Sequence, residues 1–152
     1  MNNNDILKRL RYMFDFSDAQ MMALFALNGY EATRAEVSNW LKKEEDEEFQ
    51  LISDLMLGVF LNGLILQNRG SKEGVVLKAE PELSNNEILK KLKVALQLTS
   101  DDILDLFSKT GKKLTATELS AFLRNESQSQ YRPFQDQYLR NFIRGLQLKY
   151  RP

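Results

Sequence analysis

The 152-residue chain is 43% hydrophobic and 28% charged, a composition of folded rather than disordered proteins, and it is long enough for one ordinary domain or two very small ones. It contains no cysteine and no histidine, which excludes disulfides, thiolate nucleophiles, Cys/His zinc sites, haem ligation by histidine and any mechanism that needs a histidine base. The net charge of zero is unevenly placed, at −4 over residues 1–69, −1 over 70–84 and +5 over 85–152.

The chain opens MNNNDILKRL, with an acid where a signal peptide carries a basic region and a long apolar core, so a cytoplasmic protein is expected. Asn4 is the expected cap of a first helix, with Asp5 just inside it to suit the helix dipole. Apolar residues at 6, 7, 10, 13 and 14 make a helical stripe rather than a strand alternation. Ser17 and Gln20 have the spacing of a capping box and predict a second helix that ends before Gly29. Thr33 and Glu36 repeat that spacing and start a third helix, with Val37, Trp40 and Leu41 on one face. The acid run KKEEDEEF, residues 42–49, lacks the alternating ligands and central glycine of a calcium loop. It reads as a solvated loop or helix end, and Glu45, Glu47 and Glu48 are its candidates for meeting a basic partner surface. A fourth helix is expected from about Ser53 to Asn68, with Met56, Val59, Phe60, Gly63 and Leu64 on its stripe. The apolar stretch Leu51 to Gln67 is broken by Asp54 and Asn62 and is not a membrane span. Residues 70–84, with two glycines, a proline and mixed charge, interrupt the helical pattern and read as a linker.

Beyond the linker the chain repeats itself. Laying Asn85 over Asn3, an offset of 82 residues, aligns 3–69 with 85–151 without a gap. Ile6/Ile88, Leu10/Leu92, Phe25/Phe107, Gly29/Gly111, Glu36/Glu118, Asp54/Asp136, Phe60/Phe142 and Gly63/Gly145 agree, and Trp40/Phe122 keep an aromatic. Asn86 then caps the fifth helix; Thr99 begins the sixth, which ends before Gly111, and Thr115 with Glu118 opens the seventh. The fold class is therefore all-α, with two tandem copies of a small multi-helix repeat, residues 1–69 and 85–152, packed together because about 67 residues make a marginal core alone. Gly63 and Gly145 sit inside helices, where glycine costs about 1 kcal/mol relative to alanine, and are read as points of close helix approach, with backbone left open for a ligand as the alternative.

The paired NN[D/E]IL openings, the T-x-x-E-[V/L]-S-x-[W/F]-L segments, and FLNGLI at 60–65 with its echo FIRGLQ at 142–147 resemble the YehS-like family of bacterial tandem-repeat proteins (domain of unknown function 1456). The resemblance covers essentially the whole chain and implies a duplicated helical domain with no established activity to carry over. On the residues themselves, the pairs Asp101/Asp102 and Asp15/Asp18 invite general acid/base chemistry, but both fall at expected helix starts, where acids serve capping and dipole roles. No catalytic, cofactor or metal residue is assigned, and the chain is read as a non-enzyme. Gly29 between two helices invites comparison with a helix-turn-helix, yet the turn to Thr33 is long and the next helix ends in acids that phosphate repels. The second copy carries Lys112, Lys113, Arg132, Arg140 and Arg144; tyrosine and arginine are enriched at interface hot spots. Tyr131 and Tyr138 are expected at core positions, leaving the arginines for a partner. The favoured reading is a protein-interaction or self-association module without a membrane partner or cofactor. The rival is a nucleic-acid-binding regulator that uses the basic second repeat.

Overall fold

The computed structural model describes residues 1–70 and 74–152, so residues 71–73 of the expected linker lie outside the described part. The described residues form eight helices and no strand: α1 Asn3–Phe14, α2 Asp18–Leu27, α3 Arg34–Leu41, α4 Asp54–Arg69, α5 Asn85–Ala95, α6 Ser100–Lys109, α7 Ala116–Leu123 and α8 Asp136–Tyr150. They divide into two compact units, Met1–Leu83 and Ser84–Pro152, each holding one copy of the repeat.

Capping sets most helix starts. Ser17/Gln20, Thr33/Glu36, Thr99/Asp102 and Thr115/Glu118 all form reciprocal capping boxes, satisfying amides that a helix start leaves unpaired. One expectation is corrected: Asn4 and Asn86 are not the caps of α1 and α5. Asn2 Oδ1 accepts from the Asp5 amide at 2.8 Å, and Ser84 Oγ accepts from the Glu87 amide at 3.2 Å, so each cap lies two residues earlier. Asn4 and Asn86 are instead buried inside the first turn, where their amides tie three separate backbone groups together. Asn4 donates to the carbonyls of Trp40 and Gln50 at 2.9 and 2.8 Å and accepts from the Ile52 amide at 3.1 Å. Asn86 repeats this with Phe122, Arg132 and Phe134, at 3.0, 2.9 and 2.8 Å. Each asparagine thus clips the end of the third helix of its unit to the irregular segment leading into the fourth.

In the first unit, the α2 stripe of Met21, Leu24 and Phe25 lies against α4, and the Phe25 ring sits 5.2 Å from both Trp40 and Phe60. In the second unit Phe107 faces Phe142 at 6.4 Å, and Phe134 stands 5.1 Å from Phe122. The second core therefore replaces Trp40 by the smaller Phe122 and Ile52 by the larger Phe134, an exchange that moves aromatic bulk while keeping the space filled. Tyr131 and Tyr138, expected as core residues, are half-buried. Tyr138 does pack on Phe122 at 4.9 Å, but Phe134 takes the interior place. Gly63 and Gly145 both mark close helix contacts. A Cβ on Gly63 would lie 1.8 Å from the Leu24 carbonyl oxygen, and one on Gly145 would lie 2.7 Å from that of Leu106.

The segment after Gly74 does not leave the first unit at once. The Asn28 side chain donates to the Leu77 carbonyl at 3.0 Å and accepts from its amide at 2.8 Å, the two-bond pattern of a paired strand. Asn62, fully buried in α4, donates to the carbonyls of Leu77 and Lys78 at 3.3 and 3.4 Å. Further along, the Leu83 amide donates to Asp54 Oδ2 at 2.9 Å. Residues 75–83 thus form a strap along α4 before α5 begins. No described helix is long and apolar enough to cross a membrane.

Candidate functional site

The residues singled out for partner binding fall into three places. Glu45, Glu47 and Glu48 are exposed in a compact turn between α3 and α4, closed by hydrogen bonds from the Asp46 amide to Lys43 and from the Phe49 amide to Asp46. Glu48 is tied to Lys42 by an ion pair, while the carboxylates of Glu45 and Glu47 make no ion pair among the described residues. No three acids of this run, or of any other described region, converge to hold a metal ion. Arg132 precedes α8; its guanidinium lies 6.0 Å from the centre of the Phe122 ring. It also lines a shallow depression of about 440 Å³ with Glu118, Arg124 and Gln130. The Glu118 carboxyl is held below its ordinary pKa, first by the Thr115 amide of its capping box and in smaller part by the charge of Arg132.

Arg140 and Arg144 form the third place, exposed on α8 one helical turn apart. Asp136 lies one turn before Arg140 but is engaged by the Asn85 side chain at 2.8 Å. Neither guanidinium makes a hydrogen bond or ion pair among the described residues, and neither do the side chains of Lys112 and Lys113, exposed in the turn after Gly111. On the neighbouring helix α6, Asp105 is paired with Lys109 at 3.8 Å.

The first unit explains what this face is. Arg140 and Arg144 stand where α4 has Gly58 and Asn62, and Thr110 and Gly111 stand where α2 ends in Asn28 and Gly29. In the first unit those four residues are the seat of the strap. Asn28 and Asn62 hold its backbone, the Val76 side chain lies 3.6 Å from the Cβ position of Gly29, and Ala79 Cβ lies 3.6 Å from that of Gly58. In the second unit the helices meet in the same way, as the paired approaches of Gly63 to Leu24 and Gly145 to Leu106 show. Yet no described atom beyond the chain neighbours lies within 4 Å of a Cβ on Gly111, and Thr110 turns its hydroxyl onto its own helix, donating to Phe107 at 2.7 Å. Among the described residues, then, nothing lies against Gly111 as Val76 lies against Gly29, and Arg140 and Arg144 are exposed, so the seat is open in this sense.

Arg140 and Arg144 stand out in the sequence, but the residues that hold the strap in the first unit, Asn28 and Asn62, are missed there. A signal is present nonetheless: Asn62 lies in LGVFLNGLIL, a helix apolar on every side, which has to be covered all round and must give a buried amide its partners. Three of the four paired carboxylates have structural tasks, and Asp101 is exposed in the first turn of α6. Asp15 is the left-handed C-cap of α1 (φ 52°) rather than a helix start, Asp18 pairs with Arg11 and Arg34, and Asp102 closes a capping box.

Both halves of the chain, residues 3–70 and 85–151, match the family described as "Protein of unknown function (DUF1456)". The chain is 38% identical over 147 residues to the "Uncharacterized protein YehS" of Escherichia coli (strain K12), an alignment covering 96% of this chain and 94% of that protein. No solved structure matches.

Proposed function

Because the chain belongs to the family described as a protein of unknown function (DUF1456), its role has to be read from its own surface, and we propose that it is a non-enzymatic helical protein-interaction module of the cytoplasm. The observation that carries this reading is the set of exposed cations on the second repeat, Arg140, Arg144, Lys112 and Lys113, with no ion-pair partner among the described residues. An acidic protein surface is their natural complement, and electrostatic complementarity of this kind sets specificity and association rate. The exposed acids of the first repeat, Glu45 and Glu47 in particular, supply one such surface, so a second copy of the chain is a partner of fitting charge.

Sedimentation across protein concentration tests self-association. The expected result is an oligomer at low ionic strength that dissociates as salt shortens the screening length from about 10 Å at 0.1 M to about 3 Å at 1 M. Glu45→Lys with Glu47→Lys is expected to abolish it. A monomer at low salt and high concentration overturns self-association. The same cations suit nucleic-acid phosphates, and binding of mixed-sequence DNA or RNA that falls steeply with salt would replace the protein partner by a nucleic acid.

A further inference from the structure

We infer that the open strap seat of the second repeat, bordered by Thr110, Gly111, Arg140 and Arg144, is a docking groove for an extended acidic peptide segment of a partner protein. This rests on the interaction-module reading and names the ligand class of its basic face. The structure holds a template of the complex, because the equivalent groove of the first repeat is filled by an extended segment of the chain itself. What differs is the chemistry of the seat. Two asparagines that bind backbone have become Thr110 and Arg144, and a glycine that admits Ala79 has become Arg140. A groove that reads a main chain through amides has become one that reads side-chain charge.

The spacing gives the ligand a pattern. Along the strap, Leu77 meets Asn62 and Ala79 meets Gly58, so two residues of extended chain span one turn of α4. The lengths agree: four helical residues rise about 6 Å and two strand residues about 6.6 Å. A peptide in the same direction would place acids two residues apart opposite Arg144 and Arg140, each able to form a forked, charge-assisted pair. Acid-x-acid in an extended segment is the expected recognition pattern. A polypeptide is favoured over a nucleic-acid strand because the sister groove holds polypeptide, with a valine side chain against Gly29 where the second repeat keeps the equally bare Gly111.

The probe is a fluorescent peptide of residues 75–83 carrying Leu77→Glu and Ala79→Glu, titrated by anisotropy into the full chain, whose first groove is already occupied by its own strap. The expected result is salt-sensitive binding that weakens by about tenfold or more in Arg140→Glu/Arg144→Glu. Binding should also weaken for the unsubstituted peptide and for Thr110→Trp, which fills the groove without changing charge. Arg140 and Arg144 are exposed, and an unchanged helical circular dichroism spectrum would confirm that the charge reversal leaves the fold intact. No binding at low ionic strength, binding indifferent to the arginine variant, or tighter binding of a single-stranded oligonucleotide through the same arginines would each overturn the proposal. Failure of the peptide with salt-dependent self-association intact refutes the groove alone. Peptide binding that survives Glu45→Lys/Glu47→Lys supports the groove even where self-association is lost.

Discussion

Helices α4 and α8 occupy the same place in two copies of one repeat, yet α4 is buried at every position from Leu57 to Leu66 while α8 keeps Arg140, Arg144 and Leu148 exposed. Their inner faces are alike: Phe60 matches Phe142, Leu64 matches Leu146, and each helix brings a glycine against a carbonyl of its neighbour. The largest difference lies on the outer face. It shows that the inward stripe specifies the repeat and the outer face is free to take up separate tasks, binding its own chain in one copy and presenting charge in the other.

The sharpest way to break that comparison is at the glycines. Gly63→Ala drives a methyl group into the Leu24 carbonyl and is expected to cost about 3 kcal/mol or more, whereas Gly145→Ala, with a looser approach, should cost about 1 kcal/mol. Urea unfolding followed by the fluorescence of Trp40, the single tryptophan, reads the first unit, and circular dichroism reads both. Equal losses at the two sites would contradict the difference in approach. The asparagine clips come next, and here the copies should agree. Asn4→Ala and Asn86→Ala each orphan three backbone groups and are expected to cost about 2–4 kcal/mol apiece by denaturant midpoints.

At the strap seat the copies should part again. Asn28→Ala is expected to cost about 1–2 kcal/mol and to speed amide exchange at Leu77, while Thr110→Ala, with no strap to hold, should stay within about 0.5 kcal/mol. Helix α8 also lacks a side-chain cap where α4 has Ser53 bonded to the Met56 amide at 3.1 Å. Gln135→Ser should therefore raise the stability of the second unit by about 1 kcal/mol, seen as a higher midpoint. The smallest effect concerns Glu36, whose carboxyl is held below its ordinary pKa by the Thr33 amide first and the Tyr30 hydroxyl second. A lowered folded pKa means stability that is present above the unfolded carboxylate pKa and fades as pH falls through the folded one. Tyr30→Phe should shrink that acid-side loss, read as a smaller shift in urea midpoint between about pH 5 and pH 3.

Much of the fold is legible in the sequence because the repeat is written twice. The Ser/Thr-x-x-Glu/Gln boxes locate α2, α3 and α7, Thr99 locates the start of α6, and the 3.6-residue stripes locate the core faces. Asn4 and Asn86 mislead because a helix cap and a buried clip ask for the same residue near a helix start. Only the distant carbonyls of Trp40 and Phe122 distinguish them. Arg140 and Arg144 are legible as unmatched charge, but that they stand in an open seat depends on knowing what fills the other one.

The sequence alone determined the all-helical class, the duplication and the charge division, because caps, periodicity and composition act within a few residues of chain. The tertiary structure alone decided that residues 75–83 lie back along α4, held there by the buried Asn28 and Asn62. That choice rests on hydrogen bonds between residues 15 to 49 positions apart, which no local pattern encodes. A buried amide must find its partner wherever the folded chain brings one, and an exposed guanidinium need not.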